Sequence, residues 1–347
     1  MVWWRIGTVL GIVGVLVAGA VLEGYGSPAS QGAKPPAAAK KASGPLGGYR
    51  VYLCDEKGNR ILEVNAAKKI VWEAKVPAPD DLAPTPRGNL VVNSDVHDQV
   101  YEVSGKTGKI TWTYGQFNHP GGKQGQLRIP EDSFRVPGGR VSITDTGNFR
   151  AIQVSKASGR IVWQYGKRVP GTLPGYLWTN NDAVPLKNGN VLLTESGVHK
   201  AGFLPTVLEV TPKGHTAWKV TLPFLGYASD AMPVGKNRYV IANWVKGGGI
   251  YVFNRQGKVL WSYGPKSGPG ELNHPSSAEL LPNGNYLVSD DYNDRVVVIS
   301  PKTNSIVWQY GVKGVPGTGP NHLMGPTDAK AVGEPLPPYV SAVGRLK

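Results

Sequence analysis

The sequence predicts an all-β protein, a six-bladed β-propeller of four-stranded antiparallel blades whose ring is closed by a C-terminal strand. Three observations carry this. Short apolar runs alternate with turn phrases such as Pro282-Asn283-Gly284-Asn285 and Lys106-Thr107-Gly108-Lys109, in a chain of 347 residues with 46 glycines and 29 prolines. Such punctuation marks short strands rather than helices. Six tryptophans (Trp72, Trp112, Trp163, Trp218, Trp261 and Trp308) each end a similar phrase, and four continue into Trp-x-Tyr-Gly. Their spacing of 40 to 55 residues suits one four-stranded blade per repeat. Finally, the first unit holds three strands only, and a matching innermost strand stands at the far end of the chain.

The elements follow in order. Residues 1–23 form a hydrophobic segment: Arg5 precedes a run from Ile6 to Leu22 in which Thr8 is the only polar side chain. This length fits a membrane-anchor helix or the core of a signal peptide, and Arg5 on the cytoplasmic side sends the remainder outside. Residues 24–48, rich in Gly, Ser, Pro, Ala and Lys, read as a flexible linker. A tether is useful when its first end stays held, which favours an uncleaved anchor over a secreted product.

Residues 49–332 are the propeller. In the first blade, residues 49–53, 60–64 and 70–74 are strands two to four, and residues 325–332 return to supply strand one. That pairing removes the open sheet edges that invite aggregation. The sixth blade is the clearest, with strands expected at 277–281, 286–289, 295–300 and 305–310. Residues 333–347 form a C-terminal tail.

Aligning the blades on their first turn exposes a repeated acid. Asp81, Asp132, Asp182, Asp230 and Ser277 each stand seven residues before the Gly or Asn of that turn, and Asp328 takes the same register in the returning strand. Two readings stay open. Each carboxylate accepts backbone N–H bonds from the neighbouring blade and ties the ring together. Alternatively the carboxylates converge on the channel and hold a ligand or a cation, with Asp132, Asp182 and Asp230 as the metal candidates and calcium as the ion that prefers such oxygens. So many acids in one channel repel unless some find partners.

The charge pattern narrows the partners. The net charge of +14 draws the chain to anionic surfaces, yet no nucleic-acid module is present. Loops between strands two and three are acidic and share a face with the aspartates, whereas turns between strands three and four carry lysine and arginine. A basic lower face suits an anionic cell-envelope polymer, lipid headgroups or a protein partner. The single cysteine, Cys54, excludes an internal disulfide and reads as a buried apolar side chain.

Catalytic candidates are few. His119, His274 and His322 lie in loops entering an innermost strand and are the best general-base or metal-ligand candidates. They are not equivalent in the blade alignment, which argues against a three-histidine zinc site. Tyr176, Trp178, Tyr227 and Trp244 are loop aromatics that either line a cleft or pack between blades. No Gly-x-Ser-x-Gly nucleophile motif occurs.

Several phrases resemble known families. Residues 145–154, beginning Asp145-Thr146-Gly147-Asn148-Phe149-Arg150, resemble an NHL repeat, and 290–299 is a weaker match. The Gly-Lys-Ile-x-Trp endings resemble the tryptophan-docking repeats of quinoprotein-like (PQQ-like) propellers. Asp182-Ala183 followed by Leu186-Lys187-Asn188-Gly189-Asn190 is similar to arylsulfotransferase-type propellers. These resemblances span 49–332 and imply fold far more than function. Two functions are expected: an extracytoplasmic, membrane-tethered binding or scaffold module, from the tether and the lack of a firm catalytic constellation, or an extracytoplasmic propeller enzyme. The enzyme would be PQQ-dependent-like, arylsulfotransferase-like or, with Glu131, Asn181 and Asp230 imitating the ligand set, calcium-dependent lactonase-like. An anionic quinone suits the acidic upper face poorly.

Overall fold

The computed structural model describes residues 44–332, which form six four-stranded antiparallel sheets. The hydrophobic segment over 1–23, most of the linker and the tail over 333–347 lie outside the described residues. Each sheet is one blade, and consecutive blades pack face to face around a ring in chain order. The innermost strands are Ala329–Val332, Leu82–Pro84, Pro130–Val136, Asn180–Pro185, Ala228–Gly235 and Pro275–Leu280, for blades one to six. In blade six the outer strands are Tyr286–Asp290, Arg295–Ser300 and Ser305–Gly311, each within a residue or two of expectation.

Ring closure is as expected. Ala329–Val332 pairs antiparallel with Arg50–Asp55, with Leu53 opposite Ala329 and Arg50 opposite Val332. The first blade is completed by Arg60–Val64 and Ile70–Lys75.

Burial explains why strand alternation is weak in the sequence. Leu90–Ser94, Val191–Glu195 and Arg295–Ser300 are buried at every position, because both faces of a blade are covered by its neighbours. A strand covered on both faces needs no polar side. The outermost strands differ: Ile70–Lys75 and Val259–Tyr263 are largely exposed.

The repeated tryptophans join blade to blade. The Trp218 indole stacks on Tyr239 of the next blade at 5.2 Å and donates Nε1–H to the Arg255 carbonyl at 3.0 Å, while the Arg255 guanidinium lies 4.5 Å over the same ring. Trp261 stacks on Tyr286 at 5.1 Å, and Trp308 donates to the Ala66 carbonyl at 3.0 Å across the closing junction. A large ring with a polar handle satisfies both the apolar inter-blade space and the wet rim. This junction also receives the end of the linker: Leu46 is fully buried among Leu281, Leu287 and Trp308. The Asn283 and Asn285 side-chain amides donate to the Pro45 carbonyl at 3.1 and 3.0 Å. Cys54 is free and buried.

Candidate ligand site at the channel mouth

Because the innermost strands run side by side, equivalent residues form tiers around the channel. The aspartate register makes one tier, and its members do different things. Asp328 Oδ2 of blade one accepts the Leu82 N–H of blade two at 3.1 Å. Asp182 Oδ2 of blade four accepts the Ala231 N–H of blade five at 2.7 Å and the Thr194 hydroxyl at 2.8 Å. These two tie blades together, as the first reading expects. Asp132 Oδ1 accepts the N–H of Ser133, while its Oδ2 is buried without a partner, as is the Ser277 hydroxyl. Blade six, with serine in the register, makes its inter-blade bond through Glu279, whose Oε2 accepts the Ala331 N–H at 2.7 Å.

Asp81 and Asp230 behave otherwise. Each is nearly buried, at 9% and 3% exposure, lines a cavity at the channel mouth, and has no hydrogen bond or ion pair from its carboxylate among the described residues. With Asp328 they bring one oxygen each within 4.8 Å of one another. Of the expected cation set Asp132, Asp182 and Asp230, only Asp230 belongs to this group, since Asp182 is held by Thr194 and the next blade.

Lys330 belongs to none of the repeated motifs. Two residues beyond each register position stand Ala83, Phe134, Val184, Met232, Glu279 and Lys330, all buried. Lys330 is 3% exposed, and its ammonium donates to Asp328 Oδ1. The surrounding Asp328, Asp230, Asp81 and Asp132 carboxylates hold it firmly protonated against the opposing effect of burial. The aspartate tier thus contains its own cation, delivered by the strand that closes the ring.

Above this lies a cavity of about 310 Å³. One residue before each register position come Asp80, Glu131, Asn181, Ser229, Ser276 and Thr327, and all line it. Asn93 donates to Asp80 at 3.2 Å, Asn181 donates to Glu131 at 3.3 Å, and Ser229 donates to Asn181 at 3.2 Å. Loops add Glu56, Asp95, Asp291, Lys57, Tyr227, Trp244 and Tyr292. Seven carboxylates (Glu56, Asp80, Asp81, Asp95, Glu131, Asp230 and Asp291) therefore face one ammonium, Lys57. Burial, with Asp95 and Asp230 adding repulsion, pushes Glu131 up to about 8. Burial likewise pushes Asp230 up to about 7 against the pull of Lys330, and Asp291 up to about 7. Asp80 and Asp81 move in the same direction for the same reason.

The aromatic residues gather on the other side. Trp244 meets Tyr227 at 5.4 Å, Tyr292 at 5.6 Å and His274 at 4.6 Å, and its Nε1–H donates to Asp291 Oδ2 at 3.3 Å. Of the expected loop aromatics, Tyr227 and Trp244 line this cavity. Tyr176 lines a separate one of about 100 Å³ beside Leu173 and Phe203, and Trp178 stacks on Phe203 at 5.6 Å.

None of the three candidate histidines lines the mouth cavity. His119 is exposed, and His322 bonds the Pro320 carbonyl. His274 sits behind the aromatic wall, 4.2 Å from Tyr292, with burial holding it towards the neutral form. Most of the acidic loop residues are also committed elsewhere. Arg150 Nε lies 2.6 Å from Asp145, Arg295 Nε 2.7 Å from Asp290 and Arg60 Nε 2.7 Å from Asp55. In the first two, an asparagine three residues on (Asn148, Asn293) caps the same carboxylate. This is the structural content of the NHL-like phrase: an acid, a 3₁₀ turn and an arginine that fasten the loop.

Ligand classes can be tested against these residues. An anionic carboxylated quinone meets seven carboxylates and one exposed lysine, so the cavity does not fit PQQ. Calcium finds suitable oxygens at Asp81, Asp230 and Asp328, but the Lys330 ammonium already stands beside them.

Fold and tryptophan-docked blades together define a six-bladed β-propeller. A family model described as outer membrane protein assembly factor BamB matches residues 30–172. No curated protein matches. Among solved structures, a chain of a nidogen/laminin complex is 14% identical, with 76% of this chain and 93% of that one covered at a TM-score of 0.56. Hydrazine synthase of Kuenenia stuttgartiensis is 14% identical over 74% of this chain and 75% of its own, with a TM-score of 0.54. A streptogramin B lyase is 16% identical over 79% and 86%, with a TM-score of 0.51. At such identities the likeness is one of fold.

Proposed function

We propose that this protein is an extracytoplasmic, membrane-tethered propeller acting as a binding or scaffold module, with the mouth cavity as its ligand site. The observation that carries the reading is the cavity itself: a concave, preformed site lined by seven carboxylates, of which Asp81, Asp230 and Asp291 are buried and make no ion pair among the described residues. Buried acids without partners cost stability, and a site that accepts this cost is suited to a ligand that supplies the missing charge. The hydrophobic run after Arg5 and the Gly/Pro/Ala-rich linker support the tether, and the matched family's description, an assembly factor, is in keeping with a scaffold. The lysines and arginines of the lower turns suit an anionic envelope polymer or lipid headgroups. The enzyme alternative has lost its candidate bases from the cavity.

Membrane fractionation with protease added from outside tests the tether. The expected result is a propeller that stays with the membrane through a high-salt wash and is digested without lysis. Recovery in the soluble cytoplasm, protected from protease, contradicts it.

A further inference from the structure

The mouth cavity is asymmetric in a way that its acidity alone does not explain. Asp80 and Glu131 belong to blades two and three, whereas Tyr227 and Trp244 belong to blade five and Tyr292 to blade six. In a closed ring of six, blade two stands opposite blade five and blade three opposite blade six. Asp80 and Glu131 therefore face the Tyr227, Trp244 and Tyr292 rings across about 310 Å³, with Asp291 on the aromatic side accepting the Trp244 N–H. Asp230, 3% exposed and without a hydrogen-bonding partner, lines the floor between them. At the rim the chain makes the corresponding contact with its own ammonium: Lys57 Nζ lies 6.0 Å over the Tyr292 ring.

We propose that this cavity binds a small organic monocation, an ammonium group on an apolar stem. The charge sits against Asp230 and Glu131, and the stem lies on Trp244 and Tyr292. An aromatic face attracts a cation and also covers apolar carbon, whereas a bare metal ion gains nothing from the stem-covering surface. A divalent ion held by Asp81, Asp230 and Asp328 together would further have to sit beside the Lys330 ammonium, which pairs with Asp328. A monocation in the wider space above, between Asp230 and Glu131, carries half that charge and stands farther from Lys330. This assignment rests on the cavity being a binding site and is independent of the tether.

The test is calorimetric titration of the full chain in detergent at pH 8 with phenethylammonium, its neutral counterpart 2-phenylethanol, and Ca²⁺. Phenethylammonium is expected to bind, with the alcohol weaker by about tenfold or more, as for loss of a charge-assisted hydrogen bond. Tyr292→Ala, at a ring 50% exposed, is expected to weaken the ammonium by about threefold, the size of an exposed cation–π contact. Asp230→Asn is expected to weaken it by about tenfold, and a thermal midpoint no lower than that of the wild type shows that the variant is folded. Equal binding of the alcohol, or Ca²⁺ that binds and displaces the ammonium, overturns the ligand class and leaves the cavity a binding site. Binding of none of the three overturns both.

Discussion

The lower and upper parts of the channel are built from neighbouring residues of the same strands, yet they handle charge in opposite ways. Below, Asp182 and Asp328 accept backbone N–H groups from the next blade, Glu279 does the same from blade six, and Lys330 supplies a cation. In the same register Asp81 and Asp230, which face the cavity, and above it Glu56, have no such partners among the described residues, and the remaining carboxylates of the cavity share only neutral donors. The aspartate at one position of nearly every blade is therefore two features in one register. Part of it joins blades, and part of it forms the floor of a site. A repeated residue marks a repeated backbone position, while its role depends on what the neighbouring blade offers it.

The comparison can be broken most severely at Lys330. Lys330→Met removes the cation that the described residues place in the lower tier and leaves Asp328 and its neighbours uncompensated. The expected loss is about 3–5 kcal/mol, the range for breaking a buried ion pair, measured by denaturant unfolding. Asp182→Ala orphans the Ala231 N–H and the Thr194 hydroxyl, and is expected to cost about 1–3 kcal/mol. At Tyr292, above the floor and half exposed, Tyr292→Ala is expected to change stability by no more than about 0.5 kcal/mol while weakening ligand binding.

The pH dependence follows from the raised carboxylates, which include Glu279, also pushed up to about 8 by burial, and Asp182 and Asp132, raised by burial and the nearby Asp230. Asp230 and Glu131 have folded-state values near 7 and 8, above their unfolded ones near 4. A group raised in this way binds more protons folded than unfolded, so its stabilisation is complete below about pH 4 and is lost as pH rises through 7 to 8. The thermal midpoint of the ligand-free protein is expected to fall between pH 5 and pH 8. Glu102 and Glu209, lowered by Lys156 and Arg255 with asparagine donors beside them, act in the opposite direction and lose their contribution only in acid.

The ring was legible because blades repeat: a tryptophan at each rim and an acid at each inner strand have fixed offsets from the turns. Lys330 lay in the same alignment, two positions past Asp328, where other blades carry Ala83, Phe134, Val184 and Met232. A charged pair, Glu279 and Lys330, in an otherwise apolar tier was the available signal. Asp80 and Glu131 stood one position before the register and were just as accessible. The aromatic wall was not legible. Tyr227, Trp244 and Tyr292 come from loops of different length, which have no common register, so only the folded ring brings them together. The histidines misled because loop position says nothing of direction: Asn273-His274-Pro275 enters its strand through a left-handed backbone at His274, with φ 52°, and the ring packs behind Trp244 and Tyr292.

The most direct measurement is the unfolding free energy of the wild type and of Asp230→Asn and Asp182→Asn at pH 5 and pH 8. If the floor acid is kept for a ligand and the other ties blades, Asp230→Asn is at least as stable as wild type at pH 8 and shows a flatter pH dependence, while Asp182→Asn is destabilised at both values. Asp230→Asn destabilised as much as Asp182→Asn would contradict the division, and would make the whole register a structural ring.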